Sequence, residues 1–434
     1  MSTAIIKNSA LCGRVQAPSS KSVAHRMLIC AALSRSKCYI KNITDSDDMK
    51  ATIGCLETLG AKITRTGSSV CVDARDFVEK ESTEHFTLNC KESGTTLRVM
   101  IPICAALGLN VTFTGEGRLP KRPLDEYLSL FPQHSVKCTY NGDYLPLTIK
   151  GKLSGNTFKI SPKVSSQYVT GLLFALSLLS SDSTLELSSA LVGSQYVDIT
   201  TDVMSKFGIN IKKSDNSYFI KGSQEYISKP EYCDENAGLN VEGDWSQAAF
   251  FLCGGAINGN LSVTNLDLDS YQGDKKIVDI LKAFGADIVL KDNSVFVSKS
   301  ELKGTDINAL DTPDLVPVVA VVAACSSGVT NIYGVNRLKF KESDRLESTT
   351  KMIKSLGGSA SYTDDCMTII GQDSLSGGNV DSFNDHRIVM ASSVAALISE
   401  NDVVIENANA VKKSYSDFFD DYNSLGGKAN VILR

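Results

Sequence analysis

A chain of 434 residues is long for a single hydrophobic core, so two domains are the default expectation. Its 44 Lys+Arg against 49 Asp+Glu leave a net charge of −5, which provides no overall field to gather nucleic acid, while 42% apolar and 21% charged residues are ordinary for a globular protein. The apolar runs 171–179 and 316–324 are too short to cross a bilayer and the first seven residues hold no apolar stretch of signal-peptide length, so a cytoplasmic location is expected.

In chain order, helices are expected over 22–33, 95–107, 166–179, 246–256, 317–324 and 387–398, several opening on Ser or Thr, which are good N-caps. Between them one pattern recurs: a helix-like run closing on an apolar residue and Gly, then an alternating strand, a polar turn and a second strand. Its glycines are Gly60, Gly208, Gly285 and Gly357, with a shortened copy at Gly426 and a degenerate one that carries Gln133 in the glycine's place. The spacing of roughly 70 to 77 residues argues for about six βα-rich units. Gly at a helix end is the usual left-handed cap, and the Asp-Asn or Gly-Ser that follows suits a hairpin.

Three separated stretches repeat another design, a Ser- or Gly-bearing turn with Arg one helical turn in: Pro18-Ser-Ser-Lys-Ser-Val-Ala-His-Arg26, Glu92-Ser-Gly-Thr-Thr-Leu-Arg98 and Lys341-Glu-Ser-Asp-Arg345. Ser22/Arg26, Gly94/Arg98 and Lys341/Arg345 stand four apart, so each pair is expected on one helix face. A helix start offers unpaired N–H groups and a guanidinium grips phosphate or carboxylate bidentately, so three such sites in an acidic chain point to small ligands with several anionic groups. The 12 Cys form no C-x-x-C pair and sit mostly in apolar runs, as buried reduced thiols do, and the four His are scattered; no metal site is expected.

These motifs, together with Asp45-Ser-Asp-Asp48, Gly115-Glu-Gly-Arg118, Ser165-Ser-Gln167, Glu242-Gly-Asp244, Pro313-Asp314, Asn384-Asp-His-Arg387 and Lys413, occur in an order that resembles the EPSP synthases of the enolpyruvyl transferase family over essentially the whole chain. The resemblance implies an α/β fold of two domains around a cleft, with about six βαβαββ units, three per domain: a discontinuous domain of residues 1–20 and 240–434 and an inserted domain of residues 21–239. It implies transfer of the enolpyruvyl group of phosphoenolpyruvate to the 5-hydroxyl of shikimate 3-phosphate, without cofactor or metal. Lys21, Arg118, Arg345, Arg387 and Lys413 would hold phosphoenolpyruvate beside Gly94. Ser22, Arg26, Ser165, Ser166, Asp314 and Lys341 would hold shikimate 3-phosphate, with Gln167 between the ligands and Arg98 on the same anion-binding rim. The expected partners are these two substrates alone, with no nucleic acid and no membrane, and a monomer is expected.

The chemistry asks for an acid near C3 of the enol ether and a base near the hydroxyl. Glu342 is the candidate for the first and Asp314 for the second, with Lys21 and His386 as further candidates for proton traffic; two carboxylates in different electrostatic settings can take opposite roles. Three departures from the family pattern stand out: Gly193 where Ser is common, Arg337 where Asn is common, and Glu92 where many members carry Asn. The competing readings fit less well. The UDP-N-acetylglucosamine branch usually carries a Cys in the loop that reads Gly115-Glu-Gly-Arg-Leu-Pro120 here. An RNA-end-processing relative would need a basic aromatic groove, and a non-catalytic phosphosugar-binding relative would have lost Glu342 or Asp314. Gly94 also leads to the expectation that glyphosate competes with phosphoenolpyruvate.

Overall fold

Each recurrent segment builds the same sheet. In the computed structural model, which describes residues 2–78, 84–191 and 193–433, the described residues form six four-stranded sheets of one design. His85–Asn89 runs parallel to Asn110–Thr114 across the helix Gly94–Leu107, and Leu147–Gly151 and then Val136–Thr139 add antiparallel. A parallel pair needs a crossover long enough to return the chain, and the helix supplies it.

The chain divides into two compact units, Met1–Ser20 with Glu242–Arg434, and Lys21–Val241, each around its own buried apolar core. The second crossing thus falls at 241/242, two residues past the expected 239. Strand pairing explains why the first twenty residues join the C-terminal half. Ser2–Lys7 lies antiparallel between Val403–Glu406 and Lys428–Leu433, and Leu11–Gln16 runs parallel to Gly259–Thr264. Leu239–Asn240 completes the inserted unit by pairing with Lys37–Lys41.

Gly60, Gly208, Gly285, Gly357 and Gly426 all adopt positive φ, between 84° and 98°, ahead of their hairpins. In the degenerate copy Gln133 does not take that role. The chain continues as a 3-10 turn, Phe131–His134, and Ser135 takes the left-handed position at φ 66°. Of the expected helices, 166–179 is shorter than its apolar run. It spans Gln167–Leu176, and the Ser177 hydroxyl donates to the Phe174 carbonyl (2.8 Å), competing with helix continuation. The last three residues of 387–398 tighten into a 3-10 turn after the helix His386–Ala395. No helix of the described residues is long and apolar enough to cross a membrane.

Candidate active site

In the unit Lys21–Val241, three buried helices start at the predicted motifs: Lys21–Leu33, Gly94–Leu107 and Gln167–Leu176. Arg26, 3% exposed, is held entirely by uncharged oxygens. Its Nε donates to Thr200 Oγ1 (2.7 Å), Nη1 to the Ser22 carbonyl (2.6 Å), and Nη2 to the Tyr196 carbonyl (2.9 Å) and Thr170 Oγ1 (3.3 Å). Burial pulls its pKa down to about 10, with no carboxylate partner among these bonds to offset the desolvation. The Ser22/Arg26 pair does share one helix face, as the spacing predicts.

Arg98 was expected to face ligand, but it is 2% exposed, and its bonds run to Gln167 Oε1 (2.9 Å) and the Pro123 carbonyl (3.0 Å). Gln167 in turn donates to Thr95 Oγ1 (2.9 Å), and its backbone N–H to Ser165 Oγ (3.2 Å). Arg98 and Thr95 therefore fix both ends of the Gln167 carboxamide, next to Ser166. Lys21 Nζ pairs with Asp48 at 2.8 Å, both partly exposed. Arg118 is exposed at the start of the 3-10 turn Leu119–Lys121. At Gly94, a Cβ would meet Arg122 Nη1 at 2.5 Å, so the space beside this glycine is filled by a guanidinium. Gly193, at φ 72°, caps the helix Ser194–Lys206 without a side-chain hydroxyl.

The unit formed by residues 1–20 and 242–434 carries a denser charge network, centred on Asp314. Arg345 Nη1 donates to Asp314 Oδ1 (2.6 Å), Lys341 Nζ to the same oxygen (3.1 Å), and Arg387 Nη1 to the Asp314 carbonyl (3.0 Å), with Arg387 Nη2 3.6 Å from Oδ2. Burial works to raise the Asp314 pKa, but Lys341, Arg387 and Arg345 outweigh it and hold it well below the ordinary carboxylate value. Arg345, 1% exposed, also donates from Nη2 to Glu342 (2.6 Å) and from Nε to Asp385 (2.8 Å). Burial would lower its pKa, yet Asp385, Glu342 and Asp314 raise it. For Lys341 the balance is reversed, and burial lowers its pKa despite Asp314.

The prediction that Lys341 and Arg345 share a helical face fails. The helix begins at Arg345 behind the N-cap Asp344, and Lys341 is extended at the end of the turn Asn336–Phe340. The two cations meet through Asp314, on a different segment. His386, 1% exposed, is the first residue of its helix, with Nδ1 3.9 Å from Asp385. Lys413 is 8% exposed and donates to the Asn384 carbonyl (2.7 Å). Among the described residues no cluster of His, Cys, Asp and Glu is arranged to hold a metal ion.

The model of the family described as EPSP synthase (3-phosphoshikimate 1-carboxyvinyltransferase) matches residues 5–422. The chain belongs to the EPSP synthase family. Proteins named 3-phosphoshikimate 1-carboxyvinyltransferase from Clostridium kluyveri and Clostridium novyi are similar to it. The first is 42% identical over 419 residues, covering 96% of this chain and 95% of the relative; the second is 40% identical over 426 residues, covering 96% of each. The solved EPSP synthase of Acinetobacter baumannii covers 100% of both chains at a TM-score of 0.82 and 23% identity, which shows a shared fold. Of the EPSP synthase motifs, the sequence reading passed over Asp385 inside Asn-Asp-His-Arg and Asp48 inside its acidic run. Both are cation partners, and an N-cap signal before an apolar helix could have marked Asp385. Thr170 and Thr200 had no such signal, because they bond Arg26 from 144 and 174 residues away.

Proposed function

We propose that the protein transfers the enolpyruvyl group of phosphoenolpyruvate to the 5-hydroxyl of shikimate 3-phosphate, releasing phosphate. The observation that carries this reading is the near full-length family match, joined to a carboxylate, Asp314, surrounded by three cations. Two substrates with two phosphates and two carboxylates repel each other, so their approach requires dense fixed positive charge. In this reading Lys21, Arg118, Arg345, Arg387 and Lys413 hold phosphoenolpyruvate. Ser22, Arg26, Ser165, Ser166 and Lys341 hold shikimate 3-phosphate, Gln167 touches both, and Arg98 acts by positioning Gln167.

Glu342 supplies a proton to C3, which leaves C2 electrophilic. The hydroxyl oxygen then bonds to C2 as Asp314 takes its proton, giving a tetrahedral intermediate. A proton from the C3 methyl group then returns to the Glu342 carboxylate as the C2–O bond to phosphate breaks, which releases phosphate with that electron pair and regenerates the enol ether. Anionic substrates arriving at Lys341, Arg345 and Arg387 offset the cations that depress Asp314, making it a stronger base when the hydroxyl is in place. Lys21 and His386 are further candidates for moving protons, and glyphosate is expected to compete with phosphoenolpyruvate. We place the protein in the cytoplasm as a monomer that acts on these small molecules and on neither nucleic acid nor membrane.

Phosphate release from phosphoenolpyruvate tests the reading: turnover is expected with shikimate 3-phosphate and none with UDP-N-acetylglucosamine. The opposite acceptor preference would replace it with the cell-wall branch.

A further inference from the structure

His25 stands inside the first anion-binding motif, yet the reaction as written above gives it no task. It is 1% exposed and lies four residues past Lys21 on the helix Lys21–Leu33, so the two side chains share a face. That face meets a matching pair, Asp48 and Thr52, also four apart, on the helix Asp47–Thr58. Lys21 Nζ pairs with Asp48 at 2.8 Å, and His25 Nδ1 lies 2.6 Å from Thr52 Oγ1. Two rungs thus join these helices, an outer ionic one and a buried neutral one.

The buried rung continues into a third helix. Thr52 Oγ1 lies 2.7 Å from Thr96 Oγ1, which donates to Ser93 Oγ (2.8 Å), the cap of Gly94–Leu107. Ser93 Oγ accepts the Thr96 N–H as well (3.3 Å), and Thr52, Ser93 and Thr96 are all buried. A hydroxyl carries a single proton. Thr96 gives its own to Ser93, so Thr52 must be the donor at the next contact, and His25 Nδ1 must then carry the hydrogen that Thr52 accepts. The chain therefore runs one way, from His25 through Thr52 and Thr96 to Ser93, and it fixes the ring as the Nδ1–H tautomer. Nε2, left bare, has no hydrogen-bond partner among the described residues. A proton added there would be charged, buried and unmet.

We propose that His25 is a positioning residue for phosphoenolpyruvate: as the neutral Nδ1–H tautomer it orders the hydroxyl chain Thr52–Thr96–Ser93 and so sets the start of the Gly94 helix against Lys21. The proposal rests on the enolpyruvyl-transfer reading, in which Lys21 and Gly94 serve the same ligand. Displacing one of them relative to the other weakens their joint grip, because such contacts tolerate little misplacement. Arg26, on the shikimate 3-phosphate side, does not depend on the chain, since Thr200, Thr170 and the Tyr196 carbonyl hold its guanidinium. Cutting the chain therefore acts chiefly on one substrate. The electrostatics agree with a neutral ring: burial, with Lys21 and Arg26 adding to it, lowers the His25 pKa well below its ordinary value.

Thr52→Val keeps the side-chain shape and removes the hydroxyl that links the helices. Its KM for phosphoenolpyruvate should rise about tenfold while that for shikimate 3-phosphate stays within about twofold of wild type. His25→Asn places an amide N–H where Nδ1–H stands and should keep the phosphoenolpyruvate KM within about threefold of wild type, whereas His25→Leu should match Thr52→Val. Equal rises in both KM values, a loss in kcat alone, or His25→Asn as impaired as His25→Leu would overturn the proposal. Should Thr52→Val fail to fold, the two His25 variants carry the comparison. A second arm needs no turnover. In wild type at pH 7, long-range 1H–15N correlation should find the ring hydrogen of His25 on Nδ1 with Nε2 bare. An Nε2–H tautomer or an imidazolium overturns the chain's direction, and the positioning role with it. The Nδ1–H tautomer in an enzyme that does not turn over shikimate 3-phosphate overturns the enolpyruvyl reading instead, and with it the assignment to phosphoenolpyruvate.

Discussion

The two units hold their cations in opposite ways. In Lys21–Val241, Arg26 and Arg98 are fixed by hydroxyl, carbonyl and amide oxygens, so their positive charge is located but not cancelled. In the other unit, Arg345 alone touches Asp314, Glu342 and Asp385, and Lys341 and Arg387 close on Asp314 as well. A guanidinium held by neutral acceptors remains an attractor for anions. One held among carboxylates sets their proton affinities instead. In the proposed reading both units capture anions, through Lys21, Arg26 and Arg118 in the first and Lys341, Arg345, Arg387 and Lys413 in the second, while the carboxylates Asp314 and Glu342 that carry the proton chemistry lie in the second.

The strongest way to break that division is Asp314→Asn, which should lower kcat by about 10²–10⁴-fold, the range for loss of a general base. Steady-state kinetics at saturating substrates reads it, and a variant that mainly raises KM would move Asp314 to the binding group. Arginine removal sharpens the comparison. Arg345→Met strips the cation from a buried carboxylate cluster and should cost about 3–5 kcal/mol of stability. Arg26→Met leaves only neutral acceptors unmet and should cost about 1–3 kcal/mol. Equal losses in denaturant unfolding would erase the distinction.

Acid supplies a smaller contrast. Burial raises the Asp385 pKa, but Arg345 and His386 pull it below its ordinary value, and Asp314 is depressed too. The stability they contribute is therefore complete above about pH 4 and lost as pH falls through their lower folded values. Hydrogen exchange, corrected for intrinsic rates, should show His386–Ala395 and Arg345–Ser355 losing protection before Lys21–Leu33 as pH drops from 5 to 3. The smallest effect is expected from Gly94→Ala. The new methyl must displace the Arg122 guanidinium, which would stand 2.5 Å from it. Inhibition by glyphosate should weaken about tenfold more than the KM for phosphoenolpyruvate rises, near 1.4 kcal/mol, and equal changes would refute it.

Much of this was legible in the chain, because the signals were local. Gly60, Gly208, Gly285, Gly357 and Gly426 mark turns that only a residue tolerant of positive φ takes without strain, and their spacing gave the repeat. The motif serines, arginines and acids announced where helices begin. Spacing misled where an element boundary fell inside a motif, as between Lys341 and Arg345, and where Ser135 took over from Gln133.

By itself, then, the sequence determined the repeated unit, its turns, the helix starts and the family to which the motifs belong, since each of these is written in residues a few positions apart. Tertiary structure decided which acid each cation meets. It brought Thr200 to Arg26, Asp385 to Arg345 and Lys341 to Asp314, and it paired Leu11–Gln16 with Gly259–Thr264. The physical reason is that charge pairing and strand pairing depend on distance in space, and the order of residues along the chain carries no direct record of which distant groups folding will bring within a few ångströms.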